Sequence, residues 1–213
     1  DIAFELSRLY DRLGRHAEAF AAMGEGNQKM LISEGVDETY GDSFIDLLGR
    51  LKDWHTPEKN QIISKEAFRD VEDGEVDPVF LVGFPRSGTT LLGQVLDGHS
   101  ALVMVEERPM LDTLVARIRK DLGGYPEGLD KLTPENIADL RGLYFEGADQ
   151  EIKRLPGQVI IDKFPLHLIH IGLILKVFPK ARFIFALRHP CDAVLSCFMQ
   201  SFTPNPAMAN FFS

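Results

Sequence analysis

From residue 79 onward the chain switches between two hydrophobic periods, and this switching limits its fold more than any other feature. Apolar runs of strand length at 79–82, 101–105, 158–161 and 182–187 alternate with amphipathic stretches at 89–96, 109–121, 134–152, 166–178 and 190–202. Short apolar runs between turn signals suit buried strands, and longer stretches with i, i+3, i+4 spacing suit helices. Thr133-Pro134 supplies a cap and first-turn pair for the helix at 134–152. Parallel neighbours need a crossover, and crossovers are right-handed. The pattern therefore predicts an α/β fold, a parallel sheet flanked by helices.

The first 54 residues carry helical periodicity instead. Ala3, Leu6, Leu9, Tyr10 and Leu13 form one stripe, Gly14-Arg15 interrupts it, and Ala17, Ala19, Phe20 and Met23 form a second. This predicts a short αα-hairpin over 1–28. The text LYDRLGRHAEAF resembles the middle of a tetratricopeptide repeat. Such a unit needs neighbours to bury its faces, so it is expected to close a series of repeats lying upstream. A further helix is expected over 38–54, with Phe44, Leu47, Leu48 and Leu51 as its apolar face. Residues 55–78 read as a polar, acidic linker ending in EDGEVDP, with Pro78 as punctuation. The expected organisation is a helical segment at 1–54, a linker at 55–78 and an α/β domain at 79–213. Asp1 is not a methionine and the tail TPNPAMANFFS has no natural stop, so sequence is expected beyond both ends.

A formal charge of -9 over 213 residues argues against nucleic acid as the main partner, because a phosphate backbone demands clustered cations. No apolar run reaches membrane-spanning length and no signal-peptide pattern opens the chain. Cys191 and Cys197 lie six residues apart on an expected helix and point to different sides, which suits free thiols in a reducing, cytoplasmic compartment.

Charged residues follow each expected strand: Arg86 after the first, Glu106 and Glu107 after the second, Asp162 and Lys163 after the third, Arg188 after the fourth. Parallel sheets bind ligands at the carboxyl ends of their strands. Three cations with a carboxylate at the rim describe an anion pocket within an acidic protein. The stretch GFPRSGTTLL sharpens this. Gly83 and Gly88 carry Walker-loop spacing, and the amides of Ser87, Gly88, Thr89 and Thr90 are expected to cradle a phosphate at a helix start. Thr89 stands where a nucleoside triphosphate site has its lysine, and Arg86 sits inside the loop. Asp162 is the one candidate for a magnesium-holding acid, and its neighbour Lys163 is the better ligand-facing group. A metal-free site is expected, which suits transfer of a sulfuryl group, less charged than a terminal phosphoryl group.

FLVGFPRSGTTLL together with ALRHPCDAVLSCF resembles the sulfotransferases that use 3′-phosphoadenosine 5′-phosphosulfate (PAPS). The arginine form of the loop, the Glu106-Glu107 pair and Asp162-Lys163-Phe164-Pro165 are most similar to the tyrosylprotein sulfotransferase branch and its bacterial relatives carrying tetratricopeptide repeats. The resemblance implies that Arg86 binds the phosphosulfate, with the amides of 87–90 and the Ser87, Thr89 and Thr90 hydroxyls on the 5′-phosphate. It implies that Lys163 stabilises the leaving oxygen, Arg188 and Ser196 hold the 3′-phosphate, and Glu107 rather than Glu106 is the general base. The product would be adenosine 3′,5′-bisphosphate, with no metal and no membrane involved. The acceptor would be a hydroxyl of a peptide tyrosine, a sugar or a small molecule, with a protein partner open through the repeats. His99, His167, His170 and His189 read as packing, capping or lining residues, and Leu91, Leu92, Val95 and Leu96 as core. The rival readings are a P-loop nucleotide kinase or NTPase, and a non-catalytic repeat-containing interaction protein with a degenerate PAPS site. A glycine-rich segment that closes over the nucleotide in the family has no match in this sequence.

Overall fold

A computed structural model of the protein describes residues 2–37, 39–66, 71 and 73–212. Helices α1 (Ile2–Arg12), α2 (His16–Ser33), α3 (Asp42–Trp54) and α4 (Pro57–Glu66) precede strand β1 (Val79–Gly83). Then follow α5 (Thr89–Asp97), β2 (Leu102–Glu106), α6 (Met110–Leu122), α7 (Pro134–Glu151), β3 (Val159–Lys163), α8 (Ile171–Val177), β4 (Arg182–Ala186) and α9 (Pro190–Phe198). The chain divides into two units, Arg50–Leu187 and a second made of Asp1–Gly49 with Arg188–Ser213. Among the described residues no helix is long and apolar enough to cross a membrane.

In the unit of Asp1–Gly49 and Arg188–Ser213, α1 and α2 form the expected hairpin, but on a different face of α1. Ala3, Phe4 and Ser7 are buried, whereas Leu6, Leu9 and Leu13 are 40%, 53% and 69% exposed. Close approach explains the choice. A Cβ added at Gly26 of α2 would stand 3.3 Å from the Ala3 Cβ and 3.2 Å from the Phe4 ring. The Ser7 hydroxyl donates to the Ala19 carbonyl at 2.8 Å. Small side chains thus seat the two helices, and the leucine stripe faces outward. Phe198 of α9 stacks on Phe20 with ring centroids 4.5 Å apart, its carbonyl accepts from Asn27 Nδ2 at 3.1 Å, and Phe4, Met23 and Phe198 share one apolar cluster.

In the unit Arg50–Leu187 the four strands are all parallel, in the order β2-β3-β1-β4. β1 is buried along nearly its whole length. From β1 the chain passes over β3 to reach β2, and from β3 it passes over β1 to reach β4. Right-handed crossovers in opposite directions put their helices on opposite faces. The α5 helix accordingly touches β1, β2 and β3, while the 3-10 segment Pro165–His170 lies on β1. The single helix expected over 166–178 is thus two pieces, that 3-10 segment and α8. On α5, Leu91 and Val95 are 70% and 68% exposed and Leu92 and Leu96 half-buried, so the expected core positions there are largely surface.

The stretch 55–78 is more than a linker. It holds α4, while residues 67–70 and 72 lie outside the described residues. Trp54 Nε1 and Lys59 Nζ both donate to Asp130, at 3.2 and 2.6 Å. The acidic run at its end grips cations of the unit. Arg141, 1% exposed, donates to Asp73 at 2.5 Å and to Asp77 at 2.6 Å, and its guanidinium lies over the Phe145 and Phe178 rings. Arg154 pairs with Glu75 at 2.6 Å, and Asp77 also accepts the Lys180 amide. Burial alone would raise the Asp73 carboxyl. Bonds from Arg141 and the Glu75 amide, with the Arg141 charge, outweigh it and hold Asp73 below its ordinary value.

Removing one partner of a buried ion pair leaves the other charge uncompensated. Arg141→Leu should therefore lower denaturant stability by roughly 3–5 kcal/mol. Because the folded Asp73 value is depressed, its stabilisation is present above the unfolded carboxyl range near ~4 and is lost as pH falls through the folded value. Urea titrations in the acid range should show that loss in the parent protein and less of it in Arg141→Leu.

Candidate active site

β1 feeds directly into the glycine-framed loop. Gly83 is its last residue, paired in register with Ala186 of β4. A Cβ there would meet the Ala186 carbonyl oxygen at 2.6 Å, so a side chain is excluded by backbone rather than by a movable neighbour. The Ser87 amide donates to the Phe84 carbonyl at 3.1 Å and closes the turn. Gly88 caps α5 in the left-handed region at φ 89. The first amides of an α-helix have no partner within the helix, and they carry the positive end of its dipole. Thr89 is buried at 4% exposure, whereas Arg86, Gly88 and Thr90 are exposed.

At the carboxyl end of β3, Lys163 is 1% exposed and draws the neighbouring strand ends together. Its ammonium lies 2.7 Å from Glu107 Oε1, 2.9 Å from Glu106 Oε1 and 3.5 Å from Thr90 Oγ1. Parallel register accounts for Glu106, which stands opposite Lys163 across the β2–β3 ladder. Alternation would send Glu107 to the other face. Instead Glu107 takes φ 48, its amide donates to the Lys163 carbonyl at 2.8 Å, and its carboxylate reaches the same ammonium. Among the described residues, the non-glycine residues with positive φ are Arg86, at φ 67, and Glu107. Such a conformation costs about 1–3 kcal/mol per residue and persists where surroundings enforce it, often at functional sites.

The opposite face of β3 is polar and closed. Asp162 is fully buried, accepts from the Tyr144 hydroxyl at 2.9 Å, and has His167 Nδ1 at 3.1 Å. Burial first, then the Asp162 charge and this bond, push the Tyr144 hydroxyl well above its usual value. His167 stacks on Phe164, and His170 Nδ1 lies 2.7 Å from the buried Tyr125 hydroxyl. Burial, with the nearby His167 and Arg119 charges, drops His170 to about 3. These histidines pack as their helix-face positions suggested, and His170 also bonds to Tyr125. His99 Nδ1 accepts the Ala101 amide, and His189 stands at the N-cap position of α9 with no side-chain bond to the helix.

The fold thus gathers Thr90, Glu107 and Lys163, three of the residues singled out in the sequence, at one strand edge beside the loop that carries Arg86, Ser87, Gly88 and Thr89. Arg188 and Ser196 belong to the other unit, with Arg188 exposed and Ser196 half-buried on α9. The contact that the sequence reading left unassigned is Glu106 with Lys163. Its signal was present as the alignment of two strand ends, once the register is known.

Residues 78–212 match the model of the sulfotransferase family. An uncharacterized protein of Aquifex aeolicus (strain VF5) is 33% identical over 140 residues, which make up 63% of this chain and 18% of that protein. This chain therefore spans far less than two thirds of that relative's length.

The tight approach at Gly83 yields a direct check. Gly83→Ala should lower stability by roughly 1–3 kcal/mol, the usual range for overpacking, and should move the amide resonances of Ser87–Thr90. Unchanged stability and an unchanged loop spectrum would refute the role given to this glycine.

Proposed function

The chain belongs to the sulfotransferase family, and from that premise we propose that it moves a sulfuryl group from PAPS to an acceptor hydroxyl by in-line displacement. The observation that carries this reading is the buried Lys163, bonded to Glu107 and reaching Thr90 at the start of α5. A cation, a carboxylate and an anion cradle meet at one strand edge.

PAPS supplies the sulfuryl group and a phosphate oxygen able to leave with an electron pair. Glu107 takes the acceptor proton as the new oxygen–sulfur bond forms. The bond from sulfur to the 5′-phosphate oxygen breaks, and Lys163 and Arg86 donate to the charge left there. The α5 amides from Gly88 onward, with the Ser87 and Thr90 hydroxyls, hold the 5′-phosphate; the Ser87 amide already serves the loop turn. Arg188 and Ser196 take the 3′-phosphate. Positioning and preorganised charge do most of the catalysis. The products are a sulfate ester and adenosine 3′,5′-bisphosphate, and the proton passes from Glu107 to solvent. A metal-free reaction in the cytoplasm fits this reading.

A kinase or NTPase would want lysine at 89 and a strand-end acid for magnesium. Position 89 is a buried threonine, and the Asp162 carboxylate is buried behind the sheet, where it accepts from the Tyr144 hydroxyl. A decayed, purely interacting domain would have no reason to keep Arg86 and Glu107 in left-handed backbone. The loop arginine, the paired glutamates and the Asp162-Lys163-Phe164-Pro165 run support the repeat-linked bacterial branch similar to tyrosylprotein sulfotransferases. A peptide tyrosine, a sugar hydroxyl and a small alcohol or phenol are the acceptor classes to assay, with the helical hairpin as a surface for a protein partner.

In a thermal-shift titration, adenosine 3′,5′-bisphosphate should stabilise the protein more than AMP does, and Arg188→Ala and Ser196→Ala should erase the difference. An equal response of the parent protein to both nucleotides would sink those two roles. With labelled PAPS and a panel of acceptors, Glu107→Gln should lower kcat about 100- to 10,000-fold.

A further inference from the structure

We propose that Glu106 is a positioning residue: it anchors the Lys163 ammonium through the catalytic cycle, so that Glu107 alone is free to accept the proton. This rests on the sulfuryl-transfer reading above.

An ammonium has three protons and no acceptor capacity. Lys163 donates to Glu107 at 2.7 Å and to Thr90 at 3.5 Å, and the Glu106 carboxylate pairs with its charge at 2.9 Å. With its side chain only 1% exposed, Lys163 has little water to replace any partner that leaves.

The two carboxylates reach it by different means. Glu106 needs nothing unusual: it is the cross-strand partner of Lys163 in regular parallel register. Met104, two residues earlier on β2, marks the same face, since its sulfur would meet a Cβ built on Gly93 of α5 at 2.9 Å, and Lys163 Cγ lies 3.7 Å from that point. Glu107 reaches the ammonium only through its left-handed backbone. The first contact belongs to the sheet and the second to a strained turn, so the second is the one built to be given up.

The chemistry demands that division of labour. A general base becomes neutral when it takes its proton. At that moment Glu107 stops compensating the Lys163 charge, while Lys163 must donate to the departing oxygen. A second carboxylate with no proton to handle keeps the ammonium charged, oriented and paired throughout. Glu106 is half exposed, so it can hold this contact without itself being buried as a charge.

The test uses the full-length protein with Glu106→Gln, Glu106→Asp and Lys163→Met variants. Glu106→Gln should lower kcat roughly 10- to 100-fold with the PAPS KM and the adenosine 3′,5′-bisphosphate Kd changed less than about threefold, and Glu106→Asp should restore part of the loss. An unchanged kcat, or a loss matched by weaker nucleotide binding and a lower Tm, overturns the proposal. A second readout needs no turnover. In a proton–nitrogen correlation spectrum of lysine ammonium groups, the nucleotide-free protein should show a Lys163 signal that Lys163→Met removes. Glu106→Gln should broaden it away, and its persistence in that variant overturns the anchor. If the parent protein transfers sulfate to no acceptor, the functional reading fails and the catalytic half of the proposal falls with it, while the ammonium spectrum still decides the anchor.

Discussion

One buried ammonium organises this sheet edge. Lys163 terminates β3, and its partners come from the end of β2 and the start of α5. A lysine so enclosed is unfavourable unless paired. The need to pair it fixes where the two glutamates stand and how the chain turns after β2. The strand order does the rest. Because the connections leaving β1 and β3 run in opposite directions, their carboxyl ends frame the crevice in which open α/β sheets bind ligands.

The dipeptide Asp162-Lys163 serves both sides of the sheet. Lys163 faces the loop and α5, while Asp162 faces Tyr144 and His167 in the layer behind. A strand end that is polar on both faces would fray into water if either partner set were missing. Here Lys163 is met by Glu107 and Thr90, and Asp162 accepts from Tyr144. The back of the sheet thus helps set the strand end that carries the front, although nothing behind the sheet need touch a ligand.

Much of this was legible in the sequence. The four strands and the helices between them follow from period switching, because parallel strands buried on both faces read as bare apolar runs. The loop was legible because glycines at fixed spacing have few structural uses. Features set by long-range partners were not legible. Glu106 and Lys163 pair through a register that no local pattern encodes. The run EDGEVDP looked like solvated linker because its partners, Arg141 and Arg154, lie tens of residues away. On α1 the expected stripe ran from Ala3 through the leucines, yet Ala3, Phe4 and Ser7 hold the interface, where Gly26 lets the helices approach. Leu91 and Val95 look like core by composition, and the packing of α5 through Gly93 turns them outward.

The left-handed backbone at Arg86 and Glu107 has a consequence for how such sites can be found. Glycine would adopt either conformation at lower cost. Two side chains are kept where the chain would relax without them, so the information lies in the mismatch between residue type and backbone angle. A search for non-glycine, positive-φ residues in loops at the carboxyl edge of a parallel sheet needs no motif and no alignment. It would recover this pair from geometry alone, and it would apply equally to chains in which the glycine-framed loop has drifted beyond recognition.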